Sequence, residues 1–172
     1  EVSYSLFNDI FVPYAGLTGS VKRNSFKTLS YQNPFILSTP YLSHPEDNAF
    51  QNSIVKYDLY GGIRGTISDK MSFNTRIGYN RINNTPLFVN DTVVSVENRF
   101  AVVYDDVQTF SLMGELSYKN SSKWGAMARG IVYAYETNDQ NEAWHLPSYR
   151  FSLLGSYSLF DKFTLSTEMA LV

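Results

Sequence analysis

Apolar and polar side chains alternate along most of the 172 residues of this chain. Between residues 55 and 67 the odd positions hold apolar side chains, glycine and one tyrosine, whereas the even positions include Lys56, Asp58 and Arg64. A period of two places these sets on opposite faces of a β-strand. The alternation recurs clearly in 109–118, 149–159 and 163–171, and more weakly in 11–23, 71–82 and 124–136. The chain is therefore predicted to be all-β.

Polar turns divide this pattern into eight predicted strands that run antiparallel in chain order. Short turns near 8–10, 68–70, 119–123 and 160–162 alternate with long connections near 24–53, 83–96 and 137–147. Five of the six prolines lie in or beside the long connections, where no ladder donor is needed. Short turns at one end and long loops at the other are typical of up-and-down transmembrane β-barrels. The predicted strands are 1–7, 11–23, 53–67, 71–82, 97–118, 124–136, 148–159 and 163–172.

Aromatic residues lie near both ends of the predicted apolar face, with aliphatic or small residues such as Leu59, Ile77 and Leu112 between them. Aromatic girdles around an aliphatic band are what a barrel shows to the two membrane interfaces and to the hydrocarbon, and a tilted strand crosses with roughly 9–11 residues. The girdle near the short turns is Phe11, Phe73, Tyr118, Trp124, Tyr157 and Phe163, and the girdle near the long loops is Tyr57, Tyr79, Phe110 and Tyr149.

A soluble antiparallel sandwich or a lipocalin-like barrel is the alternative interpretation, with the apolar face turned into a packed core. Core positions have little reason to sort aromatic rings to both ends. A packed core also needs bulk at the apolar-face positions where this chain has glycine. These glycines are Gly61, Gly65, Gly114, Gly130 and Gly155. We therefore favour a membrane barrel over the soluble alternative.

Composition excludes several classes of function. The formal charge of −2 leaves no basic stripe for nucleic acid, and the absence of cysteine excludes disulfides, thiolate zinc sites and cysteine nucleophiles. No paired catalytic carboxylates, serine elbow or phosphate loop is found, so no enzymatic activity and no cofactor are predicted. Aromatic residues make up 16% of the chain, with tyrosine commonest, as expected where rings have one apolar and one wet end.

The order of turns and loops predicts that the chain is a consecutive slice of a longer barrel. The first predicted strand enters a short turn and the last one leaves a short turn, so both termini fall at the long-loop end. A complete small barrel normally has both termini at the other end. We therefore expect one barrel segment over 1–172, incomplete at both ends.

Several stretches resemble the barrel region of Bacteroidota outer-membrane proteins of the TonB-dependent receptor type. They are "PYAGLTGSVKRNSF" with "NPF", then "TPLFVND", and finally "AWHLPSYRFSLLGSYSLFDKFTLSTEMAL". In that family a loop ending in W-x-x-P-x-Y leads into a strand, a short "DK" turn and another strand. The resemblance implies an outer-membrane location, solute uptake and a TonB partner acting through a plug domain and a TonB box, neither of which this sequence contains. It assigns no functional residue.

Candidate binding residues are few, and each has a simpler structural interpretation. His44 and His145 lie in predicted long loops without a neighbour at metal-ligand spacing, so solvated loop residues are favoured over a metal or hydrolase site. Asp105 and Asp106, with Asp91 and Glu97, could offer oxygens to calcium, but they lack the spacing of a calcium loop. A solvated acidic strand edge is the favoured interpretation.

Two larger groups of residues leave their interpretation open. The first falls on or near the predicted inner face, where charges either set ion selectivity or pair across strands: Lys56, Asp58, Arg64, Arg76, Glu115, Arg129, Arg150 and Glu168. The second is the set of aromatic residues in the loop 24–53, which suit sugar or peptide capture, although burial within the loop is favoured: Phe26, Tyr31, Phe35, Tyr41 and Phe50.

Three hypotheses for function follow. The first is a transport barrel segment in the outer membrane, with lipid outside, a polar lumen inside and loops that meet a solute at the cell surface. The second is a barrel that serves as a structural anchor or adhesin without transport. The third is the soluble lipocalin-like ligand binder, whose marker would be a monodisperse protein purified without detergent.

Overall fold

A computed structural model describes residues 1–7, 9–36, 50–90, 100–120, 123–159 and 163–172. Its eight strands form one sheet in chain order, and each strand pairs antiparallel with the next. The predicted all-β, up-and-down architecture is confirmed. The elements are β1 (Val2–Ser3), β2 (Val12–Lys22), α1 (Phe26–Ser30), β3 (Ser53–Ser68), β4 (Met71–Asn90), β5 (Phe100–Asn120), β6 (Trp124–Thr137), β7 (Tyr149–Leu159) and β8 (Phe163–Leu171).

The pairing register sorts the side chains into two faces. Arg76 lies opposite Gly62, and Glu115 opposite Asn74 on one side and Arg129 on the other, so these charges share one face of the sheet. We call it the charged face. Its charged members on β3 to β8 include Asp58, Arg64, Arg76, Glu115, Arg129, Arg150 and Glu168. The opposite apolar face carries Leu59, Ile77, Leu112, Val132, Leu153 and Leu165 in its middle.

One irregularity corrects the predicted faces at the start of β3. Val55 pairs with Ile82 and Tyr57 with Arg81, so Lys56 is the extra residue of a bulge. A bulge changes which side chains share a face. Val55 therefore lies on the side of the charged face, and its predicted place on the apolar face is wrong.

The β4–β5 hairpin extends beyond the predicted strand end at residue 82. β4 continues to Asn90, although "NNTP" has the composition of a turn. The register shifts between Ile82 and Thr85, and Asn84 has a φ of 55°, so the turn-like residues form a bulge that interrupts the strand without ending it. β3 pairs with β4 only as far as Asn83, which leaves Pro86 on an edge where a missing N–H is tolerated.

The chain also departs from prediction near its start and in the first long connection. The predicted strand 1–7 forms a continuous ladder only at Val2–Ser3, and its pairing continues as an isolated bridge between Leu6 and Phe11. Phe7, with a φ of 54°, then leaves the extended conformation. The connection 24–53 contains α1, whose first turn is capped by the Ser25 hydroxyl on the N–H of Thr28. Among the described residues, no helix is long and apolar enough to cross a membrane.

Buried apolar side chains concentrate at the long-loop end of the sheet. Leu29 and Leu87 are 0% exposed, and Leu29 packs with Ile36 and Phe88. The middle of the apolar face is uncovered, with Leu112 51% and Leu165 68% exposed. The chain has 11942 Å² of accessible surface, whereas a compact soluble chain of 19.6 kDa has about 8,600 Å². The sheet therefore does not enclose a packed core.

Candidate functional site

The apolar face has aromatic rings at both ends, as the sequence predicts. At the long-loop end Tyr79 lies between Leu59 and Phe110 in the register. At the short-turn end Trp124 lies opposite Tyr157, and its ring is 4.9 Å from that of Tyr118. The aliphatic residues between these rings are exposed, and their contact with water is unfavourable. An apolar solvent around this face would stabilise the arrangement.

Ion pairs neutralise the charges of the charged face on β3 and β4. Arg76 lies 3.3 Å from Asp58, and Arg64 lies 3.2 Å from Glu1. These pairs are about one-third to one-half exposed, where an ion pair contributes at most about 1 kcal/mol. Pairing across strands is therefore the interpretation that the geometry supports for these predicted inner charges.

Two tyrosines reinforce this part of the charged face. The guanidinium carbon of Arg76 lies 3.9 Å from the centre of the Tyr60 ring, a cation–π distance. The Tyr14 hydroxyl donates to Asn74 at 2.8 Å. Gly62 makes room for Tyr14, since a Cβ there would lie 2.6 Å from the tyrosine oxygen.

The charged face changes character toward β8. Arg129 donates through Nε to Glu115 at 2.6 Å. Beyond this pair the face carries mostly small hydroxyl side chains, together with Leu154, the guanidinium of Arg150 and the carboxylate of Glu168. The hydroxyl residues are Ser152, Ser156, Ser158, Thr164 and Ser166. A face of this kind is suited to contact with water.

Asp105 anchors a loop and is not a solvated edge residue. Its side chain is 3% exposed and accepts three backbone N–H groups, from Asp106 at 2.7 Å, Asp139 at 3.0 Å and Gln140 at 2.8 Å. The predicted solvated acidic edge is therefore wrong at this residue. Asp106 accepts from Asn84 N–H at 3.2 Å and lies 3.7 Å from Arg81. Asp91 and Glu97 lie outside the described residues.

The β6–β7 connection is held at a second point by Tyr135. Its hydroxyl donates to the carbonyl of Pro147 at 2.9 Å. Tyr135 lies on the outer side of the aromatic girdle near the long loops, and therefore outside the segment expected to cross a membrane. Burial, reinforced by the neighbouring Tyr133, raises the pKa of Tyr135 to about 12.

His145 is part of an aromatic cluster at the long-loop end. Its ring lies 5.7 Å from that of Phe88 and 5.5 Å from that of Phe100, in edge-to-face orientation. Within the part of the chain that the structure describes, no group of three or more histidine or acidic residues could hold a metal ion. His44 lies outside that part.

The aromatic residues of the first long connection fall into two groups. Phe50 packs against the small cluster of Leu29, Ile36 and Phe88, as a loop that buries its own rings would. Phe26, Tyr31 and Phe35 are exposed, which departs from the interpretation that the loop buries its rings. Sequence alone could not separate these groups, because the cluster that covers Phe50 is completed by Phe88 on the distant strand β4. Tyr41 lies outside the described residues.

Comparisons with known proteins support the fold and little beyond it. No family model and no curated protein matches the sequence. Among solved structures the chain is similar to a protein described as copper transporter OprC, with a TM-score of 0.62 and 14% sequence identity. The match covers 92% of this chain and 24% of that chain, so this sequence spans about a quarter of the transporter's length. The likeness shows that the antiparallel sheet resembles part of the fold of that protein.

Proposed function

We propose that this chain forms part of the wall of a TonB-dependent receptor-like barrel in the bacterial outer membrane. The apolar face contacts lipid, the charged face lines a polar lumen, and the long connections lie at the cell surface. The observation that carries the proposal is the exposed aliphatic band of the apolar face, bounded by aromatic rings at both ends. Such a face is stable against hydrocarbon and unfavourable against water.

Strand length supports this placement. β4 has 20 residues and β5 has 21, about twice the 9–11 that a tilted strand needs to cross hydrocarbon. The surplus lies at the long-loop end, where Leu87 and Phe88 are buried and polar residues surround the bulge. The hairpin therefore extends from the membrane into water on the side of the long loops.

Detergent dependence tests the membrane part of the proposal. The purified chain should show β-type circular dichroism in detergent micelles and should float with phosphatidylcholine vesicles in a density gradient. In buffer without detergent it should aggregate. A stable, monodisperse β-sheet protein in buffer would favour the soluble lipocalin-like alternative.

The transport part of the proposal concerns the parent protein, of which we take this chain to be a slice. It is supported by the fold shared with a transporter and by the strand-end sequences typical of Bacteroidota receptors. The parent gene should encode a plug domain and a TonB box ahead of this segment. A parent barrel without either would favour an anchor or adhesin, with no coupling to a TonB system.

A further inference from the structure

A cleft of about 560 Å³ opens at the long-loop end of the molecule. It is formed by three separate stretches: residues 32–35 after α1, the outer part of the β4–β5 hairpin, and residues 144–146 of the β6–β7 connection. Its volume lies in the range of small-molecule binding sites, about 300–1,000 Å³. We call it the loop-end cleft.

The stretches around the loop-end cleft are held together by packing, by a backbone hydrogen bond and by Asp105. Leu29 and Ile36 pack against Phe88, and the N–H of Phe100 donates to the carbonyl of Phe35 at 3.1 Å. The buried carboxylate of Asp105 holds the connection that leads to Trp144 and His145, through backbone N–H groups of residues 139 and 140. The cleft is therefore formed before any ligand binds, which lowers the ordering cost of binding.

The lining combines flat rings with neutral hydrogen-bonding groups. Phe35, Phe88, Phe100 and Trp144 supply the rings. The side chains of Gln32, Asn33 and His145 supply donors and acceptors, and Asn33 Oδ1 already accepts from Phe35 N–H at 3.0 Å, which orients its amide. The described residues of the lining include no lysine, arginine, aspartate or glutamate.

From this lining we propose that the loop-end cleft binds a neutral carbohydrate. One face of a sugar ring is made of C–H groups, which pack on the negative face of an aromatic ring, and its hydroxyls need uncharged donors and acceptors such as side-chain amides. Trp144 is 39% exposed and Phe35 is 66% exposed, so both rings keep free surface for stacking.

Other ligand classes fit the lining less well. A sulfated or uronic sugar would bring negative charge into a cleft whose described lining offers no cation. A proline-rich peptide stacks on aromatic rings but also needs partners for its row of carbonyls, and the amides here are confined to two adjacent residues. The proposal does not depend on the membrane or transport functions, because binding needs only the folded long-loop end.

The position of the two tryptophans allows a direct test of the proposal. The chain has two, Trp144 in the loop-end cleft and Trp124 at the opposite end of the sheet. In a Trp124→Phe variant all tryptophan emission comes from the cleft. This variant, folded in detergent micelles, is titrated with hexasaccharides of α-glucan, β-glucan, mannan, galactan and xylan. At least one sugar should shift the emission saturably.

Calorimetry with the sugar that binds then locates the site. Trp144→Ala should weaken its affinity at least about tenfold through loss of the stacking ring, and Trp144→Tyr should recover part of that loss. Trp124→Ala, the matched control, should leave the affinity unchanged. Circular dichroism and thermal melting establish that every variant is folded.

Three results would overturn the proposal. One is the absence of binding by the whole panel at about 1 mM. The second is an affinity that Trp144→Ala does not change. The third is that decaproline or polygalacturonate binds in place of every neutral sugar. Each result leaves the vesicle flotation untouched, so failure of the cleft and failure of the membrane proposal are distinguishable.

Discussion

The middle of the sheet and its long-loop end use the same apolar residue types in opposite ways. In the middle, Leu112 and Leu153 extend from the surface and little packs over them. At the long-loop end, Leu29, Leu87 and Val107 are almost completely buried. One rule accounts for both regions if the solvent differs. In the proposed placement, apolar side chains leave water in each case, for hydrocarbon in the middle and for a small protein core at the end.

The comparison between these two regions also indicates where a ligand-recognition site is expected. In the proposed placement each strand in the middle of the sheet meets lipid on one face and water on the other, and its apolar face keeps the same character from strand to strand. The long-loop end has an irregular bulge, a short helix and a buried carboxylate that hold separate segments together. Recognition is therefore expected at the loops, and the sheet is expected to act as their support.

The largest effect that separates the two regions is expected from cavity formation. Leu87→Ala removes a fully buried side chain from a water-facing region, and we expect a loss of about 2–5 kcal/mol in the stability of the long-loop end. Leu116→Ala on the apolar face, the matched control, opens no cavity because lipid fills the space, so its cost should be at most about 2 kcal/mol. Hydrogen exchange in micelles measures both. Equal losses would contradict the distinction.

A charge on the apolar face should have the next largest effect. Leu153→Arg places a guanidinium in the aliphatic band, at a cost of about 2–4 kcal/mol in folding into a bilayer. Ser156→Arg, on the same strand but on the charged face, should change stability by less than about 0.5 kcal/mol. Urea titration of the vesicle-folded protein measures the difference. A larger loss for Ser156→Arg would reverse the assignment of the faces.

Removing the charge of Asp105 should loosen one loop without unfolding the sheet. Asp105→Asn weakens hydrogen bonds from residues 139 and 140, and bonds to a charged acceptor contribute about 1.5–3 kcal/mol. We expect these two amides to exchange with solvent about 10- to 100-fold faster. Asp106→Asn, the control, removes a partly exposed pair with Arg81 and should leave both amides protected. Unchanged exchange in Asp105→Asn would refute the anchoring role.

The smallest expected effect concerns the pH response of Tyr135. Its pKa is raised to about 12 in the fold, so the folded state favours the neutral hydroxyl relative to the unfolded chain. That contribution to stability is complete below about pH 10 and is lost as pH rises toward 12. The difference in absorbance at 295 nm between the wild-type protein and Tyr135→Phe should titrate near pH 12. A midpoint near 10 would show that the hydroxyl is free in water.

Much of the fold follows from the alternation of residue types, whereas the long-loop end does not. Faces such as that of Arg76 and Glu115 were predictable because a period of two is local information. The strand beyond residue 82 was missed because Asn84 and Pro86 have turn chemistry, and only pairing with β5 overrides it. The role of Asp105 was hidden as well, since two of its three partners are backbone groups 34 and 35 residues away that carry no side-chain signal.

The central claim is that the apolar face contacts lipid, and a cysteine scan along β7 tests it most directly. The sequence has no cysteine, so each introduced thiol is the one that is labelled. Single cysteines replace Phe151, Ser152, Leu153 and Leu154 in turn. Each cysteine is labelled with an environment-sensitive fluorophore, and the labelled protein is folded into vesicles of brominated phosphatidylcholine. The account predicts alternation: bromine quenches the label at 151 and 153, while a water-soluble quencher reaches 152 and 154. Equal quenching at all four positions, or the opposite alternation, would contradict a lipid-facing apolar band.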